Sequence, residues 1–288
     1  MIENKVALVT GVSSGVGRET AQLLAERGAR VFGTVRDHQT GDAIAGVELV
    51  RMDVTNESSV AKAVQSVLQQ AGEVHMLVNN AGYSLAGGLE ETSIQEAQQQ
   101  FDTNFFGALR VTQAVLPAMR RQGYGRIVNI SSMLGLLPGP YRGIYAASKH
   151  ALEGYTETLD HEVRQFGIRA VLIEPVFTKT NIGRNEKSVL TTLDAYADQR
   201  KRVEEVIQQR IAHGDEPRAV AEVVYRALTA APPRLHYPVG EGVMLSRLRR
   251  FVPPRMFDSV FRRQFQLDEE PSTHEPTIQN QSRPDHRS

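Results

Sequence analysis

The 288-residue sequence predicts an α/β fold: a doubly wound parallel sheet with helices on both faces. Three observations carry that prediction. Short β-branched runs alternate with helix-like stretches along most of the chain. Those runs are apolar on both faces, as strands covered on each side by helices must be. A glycine-rich turn joins the first run to the first helix-like stretch, at the very start of the sequence.

The elements follow in order. Residues 5–10 (KVALVT) read as a strand. After the glycine turn, residues 18–27 place Ala21, Leu24 and Ala25 on one helical face, and Gly28 suits the position just past a helix end. Residues 29–35 and 47–54 read as strands. Residues 56–72 read as a helix with Asn56 as its N-cap. Residues 75–82 are a strand with its exit loop, about 104–121 a helix, 125–131 a strand, 145–166 a long helix and 168–175 a strand. Beyond Pro175 the composition shifts. Residues 183–213 are charged and helical, 219–231 fit a helix, and 234–240 (RLHYPVG) read as one more strand, expected at a sheet edge. This gives six or seven strands and no internal boundary, so residues 1–267 are expected to form one domain. That domain includes lid helices in 183–213 and a basic-apolar extension at 243–265. The tail 271–288 holds one aliphatic apolar residue, Ile278, and is expected to be disordered.

Composition narrows the function. Lys plus Arg and Asp plus Glu both number 33, and this zero net charge argues against a general nucleic-acid binder. Cysteine is absent, which excludes disulfides, zinc-thiolate sites and a cysteine nucleophile, and fits a cytoplasmic protein. No secretory signal is visible in MIENKVALVTG, and no apolar run approaches the ~20 residues that span a bilayer. None of the eight histidines sits in a metal-ligand pattern, so no metal is expected.

The turn reads Thr10-Gly11-Val12-Ser13-Ser14-Gly15-Val16-Gly17. Glycines allow positive φ and close backbone approach, and a helix N-terminus offers free N–H groups and a favourable dipole to a pyrophosphate. Four further patterns follow it: Asp53-Val54 after the third strand, Asn79-Asn80-Ala81-Gly82 after the fourth, Ser131-Ser132 closing the fifth, and Tyr145-Ala146-Ala147-Ser148-Lys149 opening the long helix. In this order they resemble the short-chain dehydrogenase/reductase family, in its single-domain Rossmann-type branch, over residues 1 to about 240. Phe105, Phe106 and their neighbours in FDTNFFG place Asn104 at that family's helix asparagine.

Tyr145 and Lys149 are four apart and share a helix face. A phenol with pKa ~10 is a poor base at neutral pH, and a nearby ammonium is expected to lower it. Tyr145 can then exchange a proton with a carbonyl or hydroxyl oxygen. The resemblance gives Lys149 a second task on the nicotinamide ribose, and gives Asn104 a water in a proton relay through Lys149. An N-cap role for Asn104 is an equal reading. Ser132, 13 positions before Tyr145, is expected to orient the substrate oxygen. Strand alternation points Ser131 the other way.

The cofactor site is expected to comprise Gly11, Ser13, Ser14, Gly15, Val16, Gly17, Arg36, Asp53, Val54, Asn80, Ala81, Gly82, Tyr145, Lys149, Pro175, Thr178 and Thr180. The end of the second strand, where an acidic residue would bond a ribose 2′-hydroxyl, holds Val35 followed by Arg36. Arg36 suits a 2′-phosphate, and the cofactor expected is NADP(H). Val176 stands where the family has a glycine.

Residues 133–138 (MLGLLP) and Phe177 suggest an apolar pocket for a small carbonyl or alcohol substrate. GTVRD, IYAASKHAL and the long C-terminus resemble the subgroup near 17β-hydroxysteroid and retinol dehydrogenases. The resemblance implies a homodimer or homotetramer built on the long helix. The alternative is a cofactor-binding regulator without turnover. Arginines among apolar residues at 246–265 also raise a membrane-surface contact, with a solvated arginine face over a buried apolar one as the preferred reading. The segment is expected to pack beside the 183–213 helices and wall the substrate pocket, with Leu245, Leu248, Phe251, Phe257 or Phe261 facing inward.

Overall fold

A computed structural model describes residues 2–37, 43–179, 186–240 and 252–268. Thr180, Leu245, Leu248, Phe251 and the tail 271–288 lie outside the described residues.

Strands β1 (Val6–Val9), β2 (Arg30–Val35), β3 (Val47–Arg51), β4 (Met76–Asn79), β6 (Gly125–Ile130), β7 (Ile168–Glu174) and β9 (His236–Pro238) form one sheet. Its order is β3-β2-β1-β4-β6-β7-β9, and every pairing is parallel. The chain winds outward from β1 to β3, then returns to lay β4 on the other side of β1. This reversal opens a crevice at the C-terminal ends of β1 and β4, where folds of this kind take ligands. β9 lies at the sheet edge, as its sequence predicts.

Helices α1 (Gly15–Glu26), α2 (Glu57–Ala71), α3 (Ile94–Phe101), α4 (Gly107–Gln122), α5 (Gly143–Val163), α6 (Ala197–Ala212), α7 (Pro217–Thr229) and α8 (Pro254–Gln264) complete the described elements. Two apolar layers follow from strands that are apolar on both faces. Ala7, Val9, Val31, Val78 and Val171 pack towards α1 and α7, while Leu8, Phe32, Leu77, Ile127 and Ala170 pack towards α2, α4 and α5. Fully burying one such side chain contributes about 1.5–3 kcal/mol.

Local chemistry sets the ends of the elements. Asn56 caps α2 by accepting a 2.8 Å bond from the Ser59 N–H, and Gly28 takes φ +83° just beyond α1, both as expected. Arg126, buried on β6, donates to the Ala227 and Ala230 carbonyls at 2.9 and 3.1 Å and so satisfies the C-terminal end of α7. Asp160 ties α5 to β7. Its fully buried carboxylate accepts from the Arg169 guanidinium at 2.7 Å, from the Ala170 N–H at 3.0 Å and from Arg164.

Two elements differ from expectation. Residues 186–188, read as helical, form strand β8 (Glu186–Ser188) paired in parallel with β5 (Ser84–Ala86). The helix containing Asn104 begins earlier, as α3, and passes through a π-helical turn, Asp102–Phe106, before α4. Asn104 is therefore not an N-cap.

Candidate active site

The glycine turn leaves β1 at Thr10. Gly11 and Gly15 adopt φ +71° and +59°, which a side chain would strain. A Cβ at Gly17 would fall 2.2 Å from Asn80 Nδ2. Asn80 braces this loop, donating from Nδ2 to the Thr10 and Gly11 carbonyls at 3.0 and 2.9 Å. The Thr10 hydroxyl accepts from the Asn80 and Ala81 N–H groups, each at 3.0 Å. Ser14 is the extended N-cap of α1 but makes no side-chain capping bond, and the first turn carries no acidic residue. These features fit a dinucleotide's pyrophosphate: backbone can approach, and uncapped N–H groups and the helix dipole favour an anion.

The loop forms one end of a cavity of about 840 Å³. Gly11, Ser13, Ser14, Val16, Arg36, Asp53, Val54, Asn80, Ala81, Gly82, Ser132, Tyr145, Lys149, Pro175 and Thr178 all line it. Gly15, Gly17 and Asn104 stand behind that lining. Val35 is buried, whereas Arg36 is exposed beside the cavity; among the described residues no acidic side chain forms an ion pair with Arg36. Asp53 is partly committed elsewhere, because its Oδ1 accepts from the Thr55 N–H and hydroxyl at 3.0 and 2.8 Å.

Ser132, Tyr145 and Lys149 meet where β6 and α5 face the crevice. The Ser132 hydroxyl stands beside the Tyr145 phenol, donates to the Pro175 carbonyl at 3.5 Å and accepts from the Leu134 N–H at 3.1 Å. Lys149 Nζ lies 5.7 Å from the Tyr145 ring centre and donates a 2.7 Å bond to the Ile130 carbonyl. A buried net anchors the floor beneath them. Asn79 donates to Asn129 Oδ1 at 2.8 Å and to the Thr112 hydroxyl at 3.0 Å, and Asn129 donates to the Thr156 hydroxyl at 2.7 Å. This fixes α4 and α5 against β4 and β6. Asn104 donates to the Tyr83 carbonyl at 2.9 Å and to the Ser148 hydroxyl at 3.2 Å, and accepts from the Tyr83 N–H at 3.0 Å.

The electrostatics correct one expectation. The spacing to Lys149 predicts a lowered Tyr145 phenol, but burial pushes it up, aided by the Glu186 carboxylate and opposed by the Ser132 hydroxyl. The reason lies in the geometry: the Lys149 ammonium is turned to a main-chain carbonyl. Burial draws Lys149 itself down to about 8, opposed by Glu153. The arrangement offers a neutral phenol, a hydroxyl and an ammonium converging on one crevice, able to donate a proton to an oxygen held there.

Several residues of the cavity escape the sequence reading. Ser84, Arg142, Glu186 and Lys187 line it, and Arg142 pairs with Glu186 at 2.8 Å and with Glu204 at 2.6 Å. They meet through the β5–β8 pairing, which no local pattern announces. The far wall is apolar. Leu134, Leu137, Phe177, Ile207 and Ile211 are joined by Phe257 and Phe261 of α8 and by Phe265 just past its end. Phe261 and Phe265 pack with Val203 and Ile207 of α6, so α8 lies beside that helix as expected.

Residues 5–190 match the short chain dehydrogenase family, and the chain belongs to that family. It is 35% identical over 265 residues to a 3-ketodihydrosphingosine reductase of Bacteroides thetaiotaomicron, covering 91% of this chain and 98% of the relative. It is 43% identical over 183 residues to human retinol dehydrogenase 8, covering 59% and 58%. Among solved structures, a short-chain dehydrogenase from Streptomyces avermitilis superposes with TM-score 0.79 at 33% identity, covering 92% of this chain and 96% of that one. A Burkholderia phymatum relative in complex with NAD gives 0.76 at 29% identity, covering 86% and 94%. A Burkholderia cenocepacia relative in complex with NADP gives 0.72 at 25% identity, covering 91% and 98%. The protein is an oxidoreductase of this family with a nicotinamide cofactor. No described helix is long and apolar enough to cross a membrane.

Proposed function

We propose that the protein is an NADP(H)-dependent oxidoreductase interconverting an apolar ketone or aldehyde and its alcohol, with Tyr145 exchanging the proton. The observation that carries this reading is the single cavity. It joins the glycine loop and Arg36 at one end, Ser132, Tyr145 and Lys149 at the middle, and the α8 phenylalanines at the other.

Gly11, Ser13, Ser14, Val16 and the N-terminus of α1 would hold the pyrophosphate, with Gly15 and Gly17 giving the loop its path. Asp53 and Val54 would hold the adenine, and Asn80, Ala81 and Gly82 the middle of the cofactor. Pro175 and Thr178 would serve the nicotinamide end. Arg36, with its planar guanidinium, is suited to a 2′-phosphate and supports NADP(H) over NAD(H). When bound, the nicotinamide supplies or accepts the hydride.

The protein's own groups handle the oxygen. Ser132 orients the carbonyl oxygen and stabilises charge developing on it. Tyr145, kept protonated by burial, donates its phenolic proton to that oxygen in the reductive direction. Lys149 holds a positive charge beside the phenol and binds ribose hydroxyls, and Asn104 shapes the route by which the proton is replaced. The apolar wall excludes water and selects the substrate. The chain through residue 267 acts as one catalytic unit on this reading, associated as a homodimer or homotetramer across α5.

A screen of ketones, aldehydes and alcohols of increasing chain length, with NADPH or NADP as the other reactant, tests the proposal. Turnover with apolar carbonyls that prefers NADPH over NADH supports it. No turnover with any of them, alongside intact NADPH binding, overturns it.

A further inference from the structure

Directly behind Lys149 lies a group of ionisable side chains that the proposed chemistry does not use. Glu153 follows Lys149 by one helical turn on α5 and is 4% exposed. Glu174, the last residue of β7, is 1% exposed. His236, the first residue of β9, reaches them from the sheet edge. Its Nδ1 lies 2.7 Å from Glu174 Oε1 and 3.7 Å from Glu153 Oε2, and its Nε2 lies 3.5 Å from the exposed Glu157. The turn after β6 closes over them, because a Cβ on Gly135 would fall 2.8 Å from Ser131 Oγ and 2.9 Å from Glu153 Cγ.

Two buried carboxylates this close cannot both be ionised cheaply. Neither Glu153 oxygen has a hydrogen-bond partner among the described residues, although Ser131 lies beside it. Glu174, by contrast, has the imidazole. The arrangement calls for a cation or a proton on Glu153. A metal ion fits poorly. Two ligands about 2.1 Å from one tetrahedral ion stand about 3.4 Å apart, whereas His236 and Glu174 are at direct hydrogen-bond distance. A proton satisfies the geometry as it stands. His236, with a partly exposed side chain, connects the pair to solvent.

We propose that Glu153, Glu174 and His236 form a proton-sharing cluster that governs, from behind the site, the charge carried by Lys149. The inference rests on the reading of Lys149 given above. In it, Glu153 is a positioning residue that acts through the lysine and never touches the substrate. The electrostatics agree with the geometry. Burial, with Glu174 next, pushes the Glu153 carboxyl up to about 8, opposed by Ser131 and His236 and aided by Glu157. The Glu174 carboxylate is the main cause that raises His236. Of the cluster, Glu153 alone acts directly on Lys149, and it favours the ammonium.

This order of influence gives variants of opposite sign. Glu153→Gln removes the carboxylate that, among the described residues, supports the ammonium, so Lys149 should lose its proton at lower pH, by about one pH unit. Glu174→Gln removes the charge that keeps Glu153 protonated. Glu153 then ionises more readily, and Lys149 should keep its proton to higher pH. His236→Gln, at the sheet edge and away from the core, removes the cation that helps Glu153 ionise and should act in the direction of Glu153→Gln. It serves in place of Glu174→Gln if that variant does not fold.

The test is NMR titration of the Lys149 side chain in the full-length protein, with Lys149→Arg assigning the signal, beside the pH dependence of NADPH-linked turnover. Movement of the Lys149 titration in the stated directions supports the proposal. If turnover does not follow the lysine, the cluster still stands and the catalytic reading of Lys149 fails. An unmoved lysine titration in folded Glu153→Gln overturns the proposal. So does stoichiometric zinc that stays with the purified chain and is lost in His236→Gln, since a metal would then fill the place of the proton.

Discussion

Lys149 reaches across from α5 to the carbonyl of Ile130, at 2.7 Å, and stands 5.7 Å from the centre of the Tyr145 ring one turn earlier on the same helix. The lysine thereby pins α5 to the end of β6 while keeping its charge beside the phenol. Ser132, two residues after Ile130, stands beside that phenol on the strand side and opposes the effect of burial on it. Helix and strand each contribute to a single proton-donating group, and the separate parts can be removed one at a time.

Tyr145→Phe is expected to lower kcat by at least about a hundredfold while leaving the NADPH Kd nearly unchanged. The ring keeps its packing and loses only the hydroxyl. Lys149→Ala should impair both, because it removes a positive charge and the tie to Ile130. Steady-state kinetics and fluorescence titration of NADPH separate the two. Substantial activity in the phenylalanine variant would rule out the proton-transfer role.

The pH dependence follows from two groups. Burial keeps the Tyr145 phenol protonated beyond its usual range, so carbonyl reduction has its proton donor throughout the neutral range. Lys149 loses its proton near pH 8. Reduction should therefore be flat below that pH and decline above it, whereas alcohol oxidation, which needs the phenolate, should be weak at pH 7 and rise in alkaline solution. Initial rates in both directions from pH 6 to 10 check this. A reduction rate that increases through pH 8 to 9 contradicts it.

Arg36 emerges beside the cavity just after the buried Val35, its carbonyl held at 3.2 Å by Arg51 Nε. Arg36→Ala should weaken NADPH binding by roughly ten- to a hundredfold, the worth of one charge-assisted hydrogen bond, and barely change NADH binding. Calorimetric titration with each cofactor decides. Equal losses would mean that Arg36 supports the loop and reads no phosphate.

The stability of the α5–β7 junction depends on Asp160. Its carboxylate is fully buried between Arg164, Arg169 and the Ala170 N–H, and those bonds outweigh burial and hold it below the usual aspartate range. A carboxyl lowered on folding contributes stability above its unfolded pKa, and that contribution is lost as pH falls through the folded value. Asp160→Asn should cost about 3 kcal/mol at pH 7. The gap from the native chain should narrow in acid. Urea unfolding at pH 7 and at about pH 2.5, below the ordinary aspartate value, measures both.

What the sequence disclosed follows from distance along the chain. The Tyr145–Lys149 pair is one helical turn, and the glycine loop is eight consecutive residues between a strand and a helix, so local spacing suffices for both. The central parallel strands announce themselves by being apolar on two faces. Glu153, Glu174 and His236 come from three segments separated by 21 and 62 positions, and only the β7–β9 pairing brings the last of them in. Strand β8 is three residues, Glu186, Lys187 and Ser188, with no apolar alternation; it forms because β5 lies alongside. The π-helical turn at Asn104 answers to the Tyr83 main chain, a tertiary contact that helical periodicity does not encode. For the Tyr145 phenol, sequence spacing gives the neighbouring charge but not the burial that opposes it.

The apolar end of the cavity yields the last prediction. Phe257 and Phe261 of α8 and Phe265 just past its end follow one another with ring centres 5.8 and 4.8 Å apart, and line the cavity together with Ile207 and Ile211 of α6. Met256 and Val260 of α8 also border the cavity, yet they are more than half exposed. A substrate long enough to pass Tyr145 and reach these rings gains their contact; a short ketone does not. Ending the chain after Gly242 should therefore raise KM for long apolar carbonyls about tenfold or more, on the scale of one buried aromatic contact. KM for small ketones and the NADPH Kd should stay close to those of the intact protein, because the glycine loop, Arg36, Ser132, Tyr145 and Lys149 all precede the cut. Phe257→Ala should give a smaller change of the same kind without removing the helix. If a folded truncated chain keeps the same KM for long and short substrates, α8 does not wall the pocket, and its exposed apolar side faces a partner subunit or a lipid surface, which light scattering and liposome co-sedimentation then distinguish.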